Sequence, residues 1–191
     1  MGFKRDLAAG KNGEEIVKKT LEKFGVTVEF PETREVDLVC QFGKKKFTAE
    51  IKNDMYAEKS GNVAFEYWNS KSDTASGITS TKATVWFHII PDLSLKTIWA
   101  TSVKLLRNYI QDNKPFRSIK KVGDGNADIH LYKMDQILED IFHRLDNITS
   151  EDFKKIFKEI IKVKQCGFKT LIFLLTLKLH LRIVILVNLQ K

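Results

Sequence analysis

The first stretch of the chain repeats at helical intervals. Leu7, Gly10, Gly13 or Glu14, Val17, Leu21 and Phe24 recur at three- and four-residue steps, and Gly25 follows as a stop signal. This predicts an amphipathic helix over residues 4–24. The period then falls to two. "VTVEF" reads as a short strand closed by Pro31, and residues 35–42 and 45–53 read as two more strands around Gly43-Lys44. Glycine at the first central position suits a type II′ turn. Residues 54–82 are polar and irregular except for "NVAFEYW", which alternates as a strand, while "SDTASGITSTKA" has the composition of a loop feeding a short helix. "TVWFHII" and "KTIWA" read as buried strands joined by the turn "PDLS". "TSVKLLRNYIQDN" reads as a helix capped by Thr101 or Ser102, with Leu105, Leu106, Tyr109 and Ile110 on its inner side. The basic segment "KPFRSIKKVGDGNADIHLY" predicts strands around a glycine loop, "KMDQILEDIFHRL" a helix, and residues 150–164 an amphipathic helix after Thr149 and Ser150.

The two-residue turn fixes the parity of the hairpin. If 42 pairs with 45, Asp37 falls opposite Glu50. Val36, Leu38, Cys40 and Phe42 then share a face with Phe47, Ala49 and Ile51, an apolar set that belongs to a core. Asp37, Glu50 and Lys52 occupy the other face, with the acids about 4.5–5.5 Å apart at Cβ and Lys52 roughly 7 Å from Glu50. Like charges placed opposite each other destabilise a hairpin by an amount comparable to the ~0.2–1 kcal/mol that a good pair contributes. A hard divalent cation between the acids turns that cost into a ligand set. Mg²⁺ needs only one or two carboxylates, a carbonyl and waters or substrate phosphate. It lowers the pKa of a coordinated water and stabilises charge on a phosphodiester oxygen. The lysine can orient or deprotonate the attacking water, or stabilise the transition state. The bland alternative is an exposed hairpin face with a Glu50–Lys52 salt bridge.

At these residues the chain resembles the PD-(D/E)xK nuclease superfamily: Asp37, then Glu50-Ile51-Lys52 after thirteen residues, with Val36 where the name of the motif has proline. The resemblance implies that Asp37 and Glu50 bind Mg²⁺, with Mn²⁺ as a substitute, that Ile51 contributes its main-chain carbonyl, and that Lys52 serves the nucleophilic water. Members commonly carry an acid on a helix ahead of the hairpin. Glu14 has Val17 and Leu21 at i+3 and i+7 and lies on the core-facing side, whereas Glu15 is turned about 100° away. Glu14 is therefore preferred. "GNVAFEYWNSKSDTASGITSTKATVWFHII" also resembles small phage-type members, which makes Glu66, Ser76, Gly77, Thr79 and Lys82 candidates for supporting the site or contacting the DNA backbone. The expected fold is α/β, a restriction-endonuclease-like core with a mixed sheet of four or five strands flanked by helices. Residues 1–145 form the nuclease-like domain and 146–191 a C-terminal helix and apolar tail of unknown role. The implied activity is Mg²⁺-dependent endonucleolytic hydrolysis of DNA, with a homodimer attractive for duplex cleavage. A catalytically inactive DNA-binding protein of the same fold is the alternative.

Composition narrows this picture in two ways. With 32 Lys+Arg against 24 Asp+Glu, the formal charge of +8 favours a polyanionic partner, nucleic acid or an acidic membrane surface. Basic runs such as "GKKKF" and "SIKK" are nonetheless most often solvated faces. The two cysteines, Cys40 and Cys166, fit no disulfide or zinc spacing, and no secretory signal opens the sequence. A reducing, cytoplasmic compartment is expected, in a bacterial or phage-infected cell. The final stretch, "TLIFLLTLKLHLRIVILVNLQK", is about long enough to span a bilayer, but Lys178, His180 and Arg182 interrupt its centre at about +2.5 to +3.5 kcal/mol for each such cation. No membrane partner is expected; a strand-like or exposed tail competes with a terminal helix. His88, inside an apolar strand, reads as a core histidine, and "GDGNAD" lacks the rest of an EF-hand loop.

Overall fold

The computed structural model describes residues 2–33, 35–91, 96–123 and 126–162. Helix α1 (Gly2–Lys23) leads into strands β1 (Thr27–Glu29), β2 (Leu38–Phe42) and β3 (Lys45–Asn53). A one-turn helix α2 (Ala57–Ser60) precedes β4 (Asn62–Asn69) and β5 (Thr74–Ala75). There follow β6 (Val85–Pro91), β7 (Lys96–Ser102), α3 (Val103–Asp112), β8 (Arg117–Val122), β9 (Ala127–Lys133), α4 (Met134–Ile141), β10 (His143–Arg144) and α5 (Ser150–Lys162).

The architecture is mixed α/β. Six strands in the order β1-β2-β3-β6-β7-β10 form the main sheet, antiparallel except for the parallel β3–β6 pair. The sheet exceeds the expected four or five strands because the short β1 and β10 extend its two edges. A parallel neighbour requires a crossover, and the chain between β3 and β6 supplies one that builds β4 and β5 on the way. Those strands join β9 and β8 in a second, antiparallel sheet of order β5-β4-β9-β8. The second sheet was not anticipated.

Both faces of the main sheet are covered. On one, Val17 and Leu21 of α1 and Phe153, Phe157 and Ile160 of α5 pack on Leu38, Cys40, Phe47, Ala49, Val85, Phe87 and Ile89. On the other, Trp86 and Ile90 meet Val63 and Phe65 of β4, Leu106 of α3 and Ile137 of α4. Burial from both sides explains why every residue of β6 up to Ile90 is buried. The boundary expected at 145/146 falls between β10 and α5, and α5 shares the first of these cores. Thr149 caps that helix: its hydroxyl accepts from the Asp152 N–H (3.1 Å) and donates to the Asp152 carboxylate (2.7 Å).

Several expectations need correction. Strand β2 begins at Leu38 rather than at residue 35, and Val36 packs with the second core instead of the first. The loop after β4 feeds no helix: Thr74 and Ala75 pair with Asn69 and Trp68, and turns follow. Helix α4 stops at Ile141, because His143 and Arg144 pair with Ala100 and Trp99 at the sheet edge. Of the two cap candidates, Ser102 caps α3 by accepting from the Leu105 N–H at 3.0 Å. Pro91, expected in the "PDLS" turn, closes β6 instead, and the rest of that turn and the apolar tail lie outside the described residues.

Candidate functional site

The hairpin is registered by its turn. Gly43 has φ 59°, and Lys44 is not among the residues of positive φ, as a type II′ turn requires. Phe42 pairs with Lys45 and Leu38 with Ala49. The next residues along are Asp37 and Glu50; the Asp37 N–H still donates to the Ala49 carbonyl at 2.9 Å although Asp37 precedes the strand. Lys52 follows on β3, paired with His88 of β6.

The two carboxylates are half-buried and each is held by one oxygen. The Ile51 N–H donates to Asp37 Oδ2 at 2.7 Å, and the Thr81 hydroxyl donates to Glu50 Oε2 at 2.5 Å. Among the described residues, Asp37 Oδ1 and Glu50 Oε1 accept no hydrogen bond. Burial pushes the Asp37 carboxyl above its ordinary range, against the pull of the Ile51 N–H and the Lys52 charge. Glu50 is raised by burial first and also by the charges of Asp37 and Glu66, while the Thr81 hydroxyl and Lys52 oppose the shift. Burial is the main cause of both shifts, and the Lys52 charge opposes each.

Glu14 comes from α1. A β-carbon at Gly13 would lie 3.3 Å from Ile89 Cδ1, 3.4 Å from Asn53 Cβ and 3.6 Å from Ile51 Cγ2, so the missing side chain brings the helix onto β3 and β6. Glu14, next along, is half-buried, and its carboxyl is raised by burial and by the charge of Asp37. Glu15 is exposed. Glu66 on β4 accepts from the Ser76 hydroxyl at 2.5 Å. Gly77 backs this contact at φ 52°, and an added β-carbon would sit 2.3 Å from the Glu66 carbonyl oxygen. The structure therefore brings Glu14, Asp37, Glu50, Lys52 and Glu66 into one electrostatic neighbourhood. Thr79 is exposed in the turn, and Lys82 forms a 2.5 Å ion pair with Glu35 in which both side chains are exposed.

Two supporting groups escaped the reading of the chain. Thr81 sits beside Lys82 in a stretch already singled out, but its bond to Glu50 spans 31 residues. Arg107 on α3 donates from Nε to the Ile78 carbonyl (2.8 Å) and from Nη2 to those of Thr79 (3.2 Å) and Thr81 (2.7 Å). It thereby fixes the turn that carries Thr81. Beneath the site His88 is fully buried; its Nδ1 accepts from Trp86 Nε1 at 3.4 Å. Its Nε2 lies 3.4 Å from Asp54 Oδ2 without meeting hydrogen-bond geometry. Burial pushes the Asp54 carboxyl up, but His88 and the N–H groups of Ala64 and Tyr56 outweigh it and hold the carboxyl below its usual range.

No group of three or more His, Cys, Asp and Glu side chains among the described residues could enclose a metal ion. The donor set that fits a hard cation is smaller: two half-buried carboxylates, each with one oxygen that accepts no hydrogen bond among the described residues, beside the main chain of Ile51. Among the described residues no helix is long and apolar enough to cross a membrane.

No protein-family model matches the chain, and no curated protein matches it. Among solved structures it is similar to a bacterial homing endonuclease, I-Ssp6803I, at 16% identity and a TM-score of 0.47, over 83% of this chain and 97% of that one.

Proposed function

We propose that the protein is a DNA endonuclease of the PD-(D/E)xK kind, with Asp37, Glu50 and Lys52 at its centre. The observation that supports this most is the register: two half-buried acids from adjacent strands meet with a lysine two residues along, and burial raises both of them. A stable fold has no need of that arrangement. Asp37, Glu50 and the Ile51 carbonyl would hold Mg²⁺, or Mn²⁺ in its place, which when bound supplies a more acidic water and neutralises charge on the phosphate. Lys52 donates to the attacking water or to the phosphoryl oxygens as charge develops. Thr81 and the Ile51 N–H hold the two carboxylates in their rotamers, and Glu14 and Glu66 add negative charge at the rim. In-line attack by water leaves a 5′-phosphate. One such centre cuts one strand, so cleavage of a duplex calls for two copies of the chain or two encounters.

A cleavage panel tests the reading: supercoiled plasmid, branched and single-stranded DNA with Mg²⁺ or Mn²⁺. Asp37→Asn, Glu50→Gln and Lys52→Ala should each lower the rate by about 10²-fold or more with the fold intact by circular dichroism. Full activity in any of them removes that residue from the mechanism. No cleavage of any substrate by the parent chain, with salt-sensitive DNA binding retained, would favour a binding protein instead.

A further inference from the structure

The second sheet is irregular at one level, and the catalytic reading does not use that irregularity. Around Asp128 of β9 the ladder slips on both sides. On β4, Tyr67 is the extra residue between the pairs Glu66↔Ile129 and Trp68↔Asp128. On β8, Lys120 and Lys121 both stand against Asp128, between Ile119↔Ile129 and Val122↔Ala127. Bulges of this kind re-aim side chains and recur beside active sites.

Lys121 also has φ 55°, a left-handed conformation that crowds its own β-carbon. Asp73 and Asn147, the other described non-glycine residues in that region, have short polar side chains that tolerate it. Lysine has no such excuse. The backbone there is held by Asp128, 5% exposed, whose Oδ1 accepts from the Lys121 N–H at 3.0 Å and from the Ser70 hydroxyl at 2.6 Å. Strain maintained by a buried acid implies a use for the side chain it displays.

That side chain stands in a basic strip. Residues 114–133 contain five Lys and Arg against two Asp, one of which is the buried Asp128. Arg117, Lys120 and Lys121 are exposed, and none of the salt bridges among the described residues involves them. The strip is also close to the candidate centre. Glu66, one residue before the β4 bulge, is tied to that centre by the turn over 76–81: the Ile78 N–H donates to the Glu66 carbonyl at 2.9 Å, and the Thr81 hydroxyl donates to Glu50. Strand β8 lies two strands from β4, about 10 Å away. Successive phosphates on one strand of a duplex are about 3.4 Å apart along its axis, so DNA engaged at Glu50 carries further phosphates within reach of β8.

We infer that β8 and its bulge form the edge on which the duplex backbone flanking the scissile phosphate docks, with Arg117, Lys120 and Lys121 each facing a phosphate. The partner rests on the endonuclease reading; the geometry of the edge does not. Anisotropy titration of the full chain with a short duplex in EDTA, over a range of salt, measures binding without cleavage. Lys121→Gly removes the charge and accepts the left-handed backbone. Its melting temperature should equal or exceed that of the parent, while Kd rises several-fold and the slope of log K against log salt shrinks by about 0.9. Lys120→Gln with Lys121→Gln should shrink it by about 1.8, and the same charge change at Lys154 and Lys155 on α5 should leave it near the parent value. Unchanged binding in Lys121→Gly, an equal loss in the α5 pair, weaker binding with a lower melting temperature, or a parent chain that binds anionic vesicles but no DNA would each overturn the inference. Asp37→Asn that still cleaves removes the catalytic reading and leaves this result standing.

Discussion

The two faces of the main sheet are built from the same strands and do opposite things. Under α1 and α5 the contacts are apolar: Phe153 and Phe157 stack at 4.3 Å, Phe24 stacks on Phe153 at 4.2 Å, and Phe47 tilts against Phe157 at 5.3 Å. Against the second sheet the same strands present Glu50, Lys52 and His88 between apolar neighbours. Alternation along β3 produces both faces at once: Phe47, Ala49 and Ile51 point one way, Glu50 and Lys52 the other. The first face supplies stability, and the second uses some of it to keep charge away from water. Loss of stability and loss of activity should therefore separate by face.

The largest effect on folding is expected on the apolar side. Phe157 is fully buried among Phe42, Phe47, Phe87 and Phe153, so Phe157→Ala should cost about 3–5 kcal/mol. Urea denaturation checks this, and a cost under about 1 kcal/mol would show that α5 contributes little to the core. On the charged side, a substitution should stabilise the metal-free protein. Burial raises the folded pKa of Glu50, so the folded chain binds its proton more tightly than the unfolded chain does. Stability then falls as pH climbs from the ordinary glutamate range through the higher folded pKa. Glu50→Gln removes that fall. In EDTA it should gain up to about 1 kcal/mol at neutral pH, with the gain vanishing in acid. A gain that persists in acid, or a loss at neutral pH, would contradict a buried, unfavourably placed carboxylate.

How much of this was legible in the chain depends on the distance over which each contact acts. Hairpin register was readable because a two-residue turn sets the parity of the five pairs that flank it, and Asp37 and Glu50 are brought face to face by local geometry alone. The half-buried placement of Glu14, against the exposure of Glu15, was readable from its position relative to Val17 and Leu21. The second sheet was not, since Asn62 pairs with Lys133, far along the chain, and nothing local to "NVAFEYW" names its partner. For the same reason the segment after β4 looked like a loop feeding a helix. Its serines, threonines and glycine are there to make a turn against Glu66, with Gly77 where a β-carbon cannot fit. Helical periodicity overran the end of α4 because the edge of β7, which captures His143 and Arg144, is invisible to it.

The smallest and most specific effect should come from Arg107, which touches neither carboxylate. Arg107 is an exposed residue, so water can replace it at the three carbonyls and Arg107→Ala should cost no more than about 1 kcal/mol of stability. The loosened turn would weaken the bond from Thr81 to Glu50, which is one hydrogen bond, or about tenfold in cleavage rate. The sign of the pH effect follows from the same bond. The Thr81 hydroxyl lowers the proton affinity of Glu50, so losing it moves the acid limb of the cleavage profile to higher pH. Thr81→Val should give that displacement directly. If Arg107 acts only through Thr81, the double variant should cleave no more slowly than Thr81→Val alone. Arg107→Lys should not restore the parent profile, because a single ammonium cannot reproduce the fork across three carbonyls. Additive losses in the double variant would mean that Arg107 supports the site by another route.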